Sequence, residues 1–122
     1  MINRMVECGK GLECENCQDH FRELKPKITE VILTGHFKKE VGDFDIKSIL
    51  DCNHENFTSL HKFEEKVDGS YIFRAIHEGK HIVYAVDESF RLVFLRVFSN
   101  FKEYKKFIDD KKKIKKLVES VL

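Results

Sequence analysis

Four side chains near the start of the chain, Cys8, Cys14, Cys17 and His20, follow the spacing C-x5-C-x2-C-x2-H. Three thiolates and an imidazole form a donor set suited to tetrahedral Zn2+, and a full set of protein ligands points to a structural metal rather than a catalytic one. Four ligands within thirteen residues is tight, so Cys52 or His54 can replace one of them. Two other readings stay open. Cys14, Cys17, Phe21 and Leu24 also fall on one face of a helix ending near Pro26, which would make the thiols buried packing groups. A Cys14/Cys17 redox pair is the third reading, although no βαβ pattern surrounds it.

A second group with chemical potential lies in the strand-like region: Arg74, His81 and Arg96. Hairpin register decides whether these three meet, because alternate strand residues face opposite sides. Even-numbered loops centred at Glu78-Gly79 and Glu88-Ser89 pair Ile76 with His81, set Arg74 diagonally beside it and put Arg96 directly across from it. Phe73, Ala75, Ile82, Tyr84, Val93, Leu95 and Val97 then form the opposite, apolar face. Two guanidinium groups disfavour a cationic imidazole between them, leaving a neutral base able to exchange a proton near neutral pH. Paired arginines also suit a phosphodiester. Strand arginines that reach solvent or pair with acids, and a strand histidine on the surface, are the plainer reading of the same residues.

These groups must be positioned by elements the hydrophobic pattern makes visible. Ile28 to Leu33 reads as a first strand ended by Thr34-Gly35. Short helices follow, one capped by Asp43 and carrying Phe44, Ile46, Ile49 and Leu50, another marked by Phe57, Leu60, Phe63 and Val67. Tyr71 to Ile76, His81 to Val86 and Arg91 to Phe98 read as an antiparallel meander, with a sheet covered on both faces. Phe101, Tyr104, Phe107, Ile108, Ile114, Leu117, Val118 and Val121 then mark one long amphipathic helix, with Asn100 and Glu103 as its capping box. The expected fold is α+β: a mainly antiparallel four-stranded sheet with short N-terminal helices and a long C-terminal helix. A cysteine-rich leader over 1–26 precedes an α+β domain over 27–122.

The chain of 122 residues suits one core and needs no obligatory staple, and 42% hydrophobic residues with a single proline exclude wholesale disorder. Its opening residues lack an apolar signal core and no stretch approaches the ~20 apolar residues of a membrane span, which points to a soluble cytoplasmic protein without a membrane partner. Twenty-two basic and twenty-one acidic side chains leave a formal charge of +1, too balanced to advertise nucleic-acid binding by bulk electrostatics. Residues 101–122 hold eight lysines against four acids, readable as a solvated helix face.

The run Gly79-Lys80-His81-Ile82-Val83-Tyr84-Ala85-Val86-Asp87, the strand Tyr71-Ile72-Phe73-Arg74 before it and Tyr104 after the last strand together resemble the RelE/ParE toxin superfamily. The resemblance is best from Gly69 to Phe107. RelE-like members cleave messenger RNA on the ribosome, so it implies RNA or ribosome binding, an antitoxin-like protein partner, and metal-independent attack of a ribose 2′-hydroxyl on the adjacent phosphate. Arg74 matches a basic active-site position, His81 occupies a slot usually filled by arginine, and Tyr104 matches a late tyrosine. Arg96 substitutes for the basic residue often found after the last strand, where this chain has Ser99-Asn100. On this reading His81 moves a proton, Arg74 and Arg96 stabilise the pentavalent phosphate, and Tyr104 orients a base or donates a proton, although its helical spacing also fits core packing. The alternative is a non-catalytic interaction module of the same fold, with a zinc-stabilised leader contacting a protein partner.

Overall fold

The computed structural model describes residues 24–40, 49 and 59–120. A 3-10 turn at Lys25–Lys27, with Pro26 inside it, leads into strand β1 (Glu30–Leu33) and the short helix α1 (Gly35–Glu40). Strands β2 (Ser59–Val67), β3 (Ser70–His77), β4 (Lys80–Val86) and β5 (Arg91–Phe98) follow, then helices α2 (Phe101–Asp109) and α3 (Lys111–Glu119). The sheet has five strands in the order β1-β5-β4-β3-β2, with β1 parallel to β5 and all other pairs antiparallel. The class is therefore α+β, as expected, but the sheet is mixed and five-stranded rather than four-stranded.

The additional strand is β2, where Leu60, Phe63 and Val67 suggest a helix. Two register irregularities explain the false period, one between Ser59 and Lys62 and one between Phe63 and Glu65. Each inserts a residue and shifts the alternation, so apolar positions recur at three and four instead of two. A helical stripe would send all three residues to one side. Here Leu60 and Phe63 pack with one core cluster and Val67 with the other. Val67 pairs with Ser70 across Asp68 (φ +49°) and Gly69 (φ +89°), and His77 pairs with Lys80 across Glu78 (φ +50°) and Gly79 (φ +79°). Both are two-residue turns with positive φ at each central position, the geometry that matches strand twist and favours glycine second.

Each face of the sheet is covered. Phe73, Ala75, Ile82, Tyr84, Leu92 and Phe94 pack with Phe37 of α1 and with Leu24 and Ile49. Thr34 joins this layer to the sheet, since its hydroxyl donates to the Leu95 carbonyl (2.9 Å) and accepts from the Phe37 amide (3.2 Å), capping α1. On the other face Ile72, Val83, Ala85, Val93 and Leu95 meet Tyr104, Phe107 and Ile108 of α2 and Ile114 and Val118 of α3. Val93 and Leu95 thus lie opposite the side that even-numbered loops assign to them. Burial of each large apolar side chain on α2 and α3 stabilises the docking by about 1.5–3 kcal/mol.

The expected single C-terminal helix is two. Asp110 (φ −97°, ψ 81°) ends α2 and caps α3, its carboxylate accepting from the Lys113 amide at 3.1 Å. An aspartate before a lysine run reads as an exposed helix face or as a cap, and here it caps. The break lets α2 lie near the β3–β4 turn while α3 crosses toward β2, where Lys111 pairs with Glu65 (3.4 Å) and Lys115 with Asp68 (3.5 Å). The helix expected from Asp43 lies outside the described residues except for Ile49, which is helical and fully buried.

Candidate functional site

The Glu78-Gly79 turn pairs Ile76 with His81 and Arg74 with Val83, so Arg74 and His81 are diagonal neighbours on the face that carries α2. On β2 the register passes from Phe63↔Phe73 to Glu65↔Ile72, leaving Glu64 as the extra residue of a bulge. Its carboxylate Oε2 lies 3.3 Å from Arg74 Nε. Three adjacent strands thus contribute a carboxylate, a guanidinium and an imidazole to one end of one face. Tyr104, one turn into α2, closes the group from above: its ring stacks on His81 with 4.9 Å between centroids and 16° between planes, and Arg74 Cζ lies 4.8 Å from its centroid.

Partial burial holds the His81 imidazole below its ordinary pKa of 6.5, and the Arg74 charge pushes in the same direction against the opposing pull of Glu64. The ring is neutral at neutral pH. Burial pushes the Tyr104 phenol strongly upward, helped by hydrogen bonding and charge from Glu64, while Arg74 opposes the rise. That hydroxyl keeps its proton. Glu64 Oε2 and Arg74 Nε are buried and meet as an ion pair without hydrogen-bond geometry, and the buried His81 Nδ1 has no hydrogen-bond partner among the described residues. Buried polar atoms in native proteins are nearly always hydrogen-bonded, so the unpartnered His81 Nδ1 beside this ion pair calls for an explanation.

Arg96 does not join them. Val86 pairs with Leu92 rather than with Arg91, and a further irregularity beside Val83 leaves Phe98, not Arg96, opposite His81. The second hairpin therefore breaks the even-loop register. Arg96 instead makes a two-pronged pair with Glu40 at the end of α1, Nε to Oε1 at 2.9 Å and Nη2 to Oε2 at 2.8 Å, while Glu40 Oε1 also accepts from the Val97 amide at 3.1 Å. Its charge is answered by Glu40, and its Cζ lies 5.0 Å from the centroid of the Phe98 ring. Of the four residues expected to act together, Tyr104 contacts both Arg74 and His81, and Arg96 pairs with Glu40 instead.

Glu64 was not legible as a site residue, because its facing depends on a bulge that no residue pattern announces. Its ten-residue separation from Arg74 would have been a signal only if β2 had been read as a strand. A second buried polar pair lies on the opposite face: the Tyr84 hydroxyl accepts from the His61 amide (2.9 Å) and lies 2.8 Å from His61 Nδ1, with His61 at φ +57°.

Cys8, Cys14, Cys17 and His20, and also Cys52 and His54, lie outside the described residues. Among the described residues no group of three or more His, Cys, Asp or Glu side chains is arranged to hold a metal ion. No helix among them is long and apolar enough to cross a membrane. No family model, curated protein or solved structure matches this chain.

Proposed function

We propose that this chain is a RelE-like, metal-independent endoribonuclease acting on messenger RNA. The observation that carries the reading is the convergence of Glu64, Arg74 and His81 from three neighbouring strands, with Glu64 and Arg74 ion-paired and the buried His81 Nδ1 without a hydrogen-bond partner among the described residues. Cleavage by a ribose 2′-hydroxyl needs a base to take the 2′ proton, a cation for the pentavalent phosphate and an acid for the departing 5′ oxygen. Neutral His81 takes the proton as the 2′ oxygen bonds to phosphorus. Arg74 exchanges Glu64 for the phosphate oxygens, and the protonated Tyr104 hydroxyl donates to the 5′ oxygen as the P–O5′ bond breaks. The products are a 2′,3′-cyclic phosphate and a 5′-hydroxyl. Glu64 positions Arg74 and the Tyr104 hydroxyl. The test is incubation of the full chain with ribosomes and messenger RNA in excess chelator: cleavage is expected, with a loss of about 10²–10⁴-fold in His81→Ala. Intact RNA with the unaltered chain overturns the proposal.

A second reading, a non-catalytic interaction module, is favoured by the two ion pairs Arg74–Glu64 and Arg96–Glu40, which already answer both arginine charges. The formal charge of +1 points the same way, since few released counterions would support RNA affinity. On that reading the leader, with Cys8, Cys14, Cys17 and His20 around a structural Zn2+, contacts a protein partner, and an acidic antitoxin-like chain is the first candidate. Equal partner recovery by the full chain and by a Cys14→Ser/Cys17→Ser variant would count against a role for the metal-bound leader.

A further inference from the structure

We propose that Phe101 is a stacking platform for a nucleobase of single-stranded RNA at the rim of the Glu64/Arg74/His81/Tyr104 site, an inference that rests on the RNA-directed reading above. Phe101 is 57% exposed, the most exposed large hydrophobic side chain among the described residues. It stands on the same helix as Tyr104, Phe107 and Ile108, all of which are buried. A single exposed phenylalanine is ordinary on a protein surface, and what sets this one apart is that its ring sits against His81 and Tyr104.

Its position is set by the site. The ring makes an edge contact with His81 (5.8 Å between centroids, 62°) and lies 5.7 Å from the Tyr104 ring. It occupies the first residue of α2, where the Asn100 side chain accepts from the Glu103 amide at 2.8 Å and anchors the turn. The platform therefore holds its place relative to the catalytic imidazole. The other two exposed apolar residues differ: Val31 has no π-face, and Phe90 lies under the Lys27 ammonium at 5.5 Å.

Flanking charge suits a nucleotide more than a protein side chain. Lys80 precedes His81, Lys102 follows Phe101, and both are exposed. An aromatic plane with lysines beside it is the usual arrangement for sequence-tolerant binding of single strands, in which the ring takes the base and the cations follow the backbone. A base inside a duplex is already stacked on both faces, so the platform selects unpaired RNA. Stacking beside His81 places the sugar-phosphate of that nucleotide at the reacting groups.

The test uses the full chain and a short single-stranded oligonucleotide with 2′-deoxyribose throughout, which cannot be cut, and one 2-aminopurine. The expected result is quenching of the fluorescent base on binding, about tenfold weaker affinity for Phe101→Ala, equal weakening for Phe101→Leu, and retained affinity for Phe101→Trp. A duplex of the same sequence should bind without dependence on Phe101. Equal affinity of the unaltered chain and Phe101→Ala, full retention by Phe101→Leu, or no binding at all overturns the platform. Phe101-dependent binding together with uncut messenger RNA in the ribosome assay would instead reject the nuclease reading and leave the platform standing.

Discussion

The imidazole of His81 lies nearly parallel to the phenol ring of Tyr104, 4.9 Å between centroids and 16° between planes, so the first turn of α2 completes a site whose other groups stand on the sheet. Tyr104 is 2% exposed and Arg74 7%. The stack links two groups whose protonation moves in opposite directions: His81 loses its proton more readily than usual and Tyr104 less readily.

The first prediction concerns pH. A base must be unprotonated to act, and His81 titrates below 6.5, so kcat/KM should rise with pH through a midpoint under 6.5. The alkaline limb should stay level past pH 10, because the Tyr104 pKa is raised. The His81 ring signals followed by NMR should share the acid midpoint. Arg74→Gln should move it upward and Glu64→Gln downward, since the first substitution removes a repulsion and the second an attraction. A midpoint above 6.5 in the unaltered chain contradicts the arrangement.

A second prediction separates the two arginines. Arg74→Ala should reduce cleavage by at least about a hundredfold, the scale on which loss of a transition-state donor is felt. Arg96 is tied to Glu40, with its guanidinium over the Phe98 ring, and should matter to stability alone, at about 1 kcal/mol for a partly exposed charge-assisted pair. Denaturant titration and the cleavage assay on Arg96→Ala check both halves. A catalytic defect as large as that of Arg74→Ala would place Arg96 in the site.

Much of the sheet could be read in advance. The apolar run Arg91 to Phe98 is a strand with those same ends, and the Glu78-Gly79 loop set the register that brings Arg74 beside His81. What could not be read traces to bulges. One beside Val83 moves Arg96 away from His81, and two on β2 hide a strand behind a helical period and turn Glu64 toward Arg74. A bulge leaves no composition signal, because it is settled by which side chains the two covering layers accept. Asp68-Gly69 did carry one: an aspartate-glycine pair between apolar runs is the mark of a two-residue hairpin. Glu40, fifty-six residues from Arg96, carried none.

Tyr84→Phe offers a third prediction, on the face away from the site. The Tyr84 hydroxyl links to both the amide and the Nδ1 of His61, which is fully buried and held at positive φ. Its removal should cost about 1–3 kcal/mol in denaturant unfolding, the usual cost when a buried hydrogen-bonding partner is lost. Cleavage at saturating substrate should be unaffected. A change under a few tenths of a kcal/mol would mean that the β2 bulge does not depend on this pair.

The leader provides a fourth. If Cys8, Cys14, Cys17 and His20 hold one Zn2+, as their spacing suggests, metal analysis after extensive dialysis should find about one equivalent per chain. Cys17→Ser should lower that content. Chelator that strips the metal should leave the RNA chemistry intact, since no step of it passes through a metal. Less than a tenth of an equivalent in freshly purified protein would return the thiols to a packing or redox role.

The central claim is tested most directly by the ends of cut RNA. Messenger RNA incubated with ribosomes and the full chain in chelator should yield fragments bearing a 2′,3′-cyclic phosphate upstream and a 5′-hydroxyl downstream, and His81→Ala should yield none. Fragments with a 3′-hydroxyl and a 5′-phosphate, or RNA that stays whole, would contradict a site in which Arg74, His81 and Tyr104 drive attack by the ribose hydroxyl.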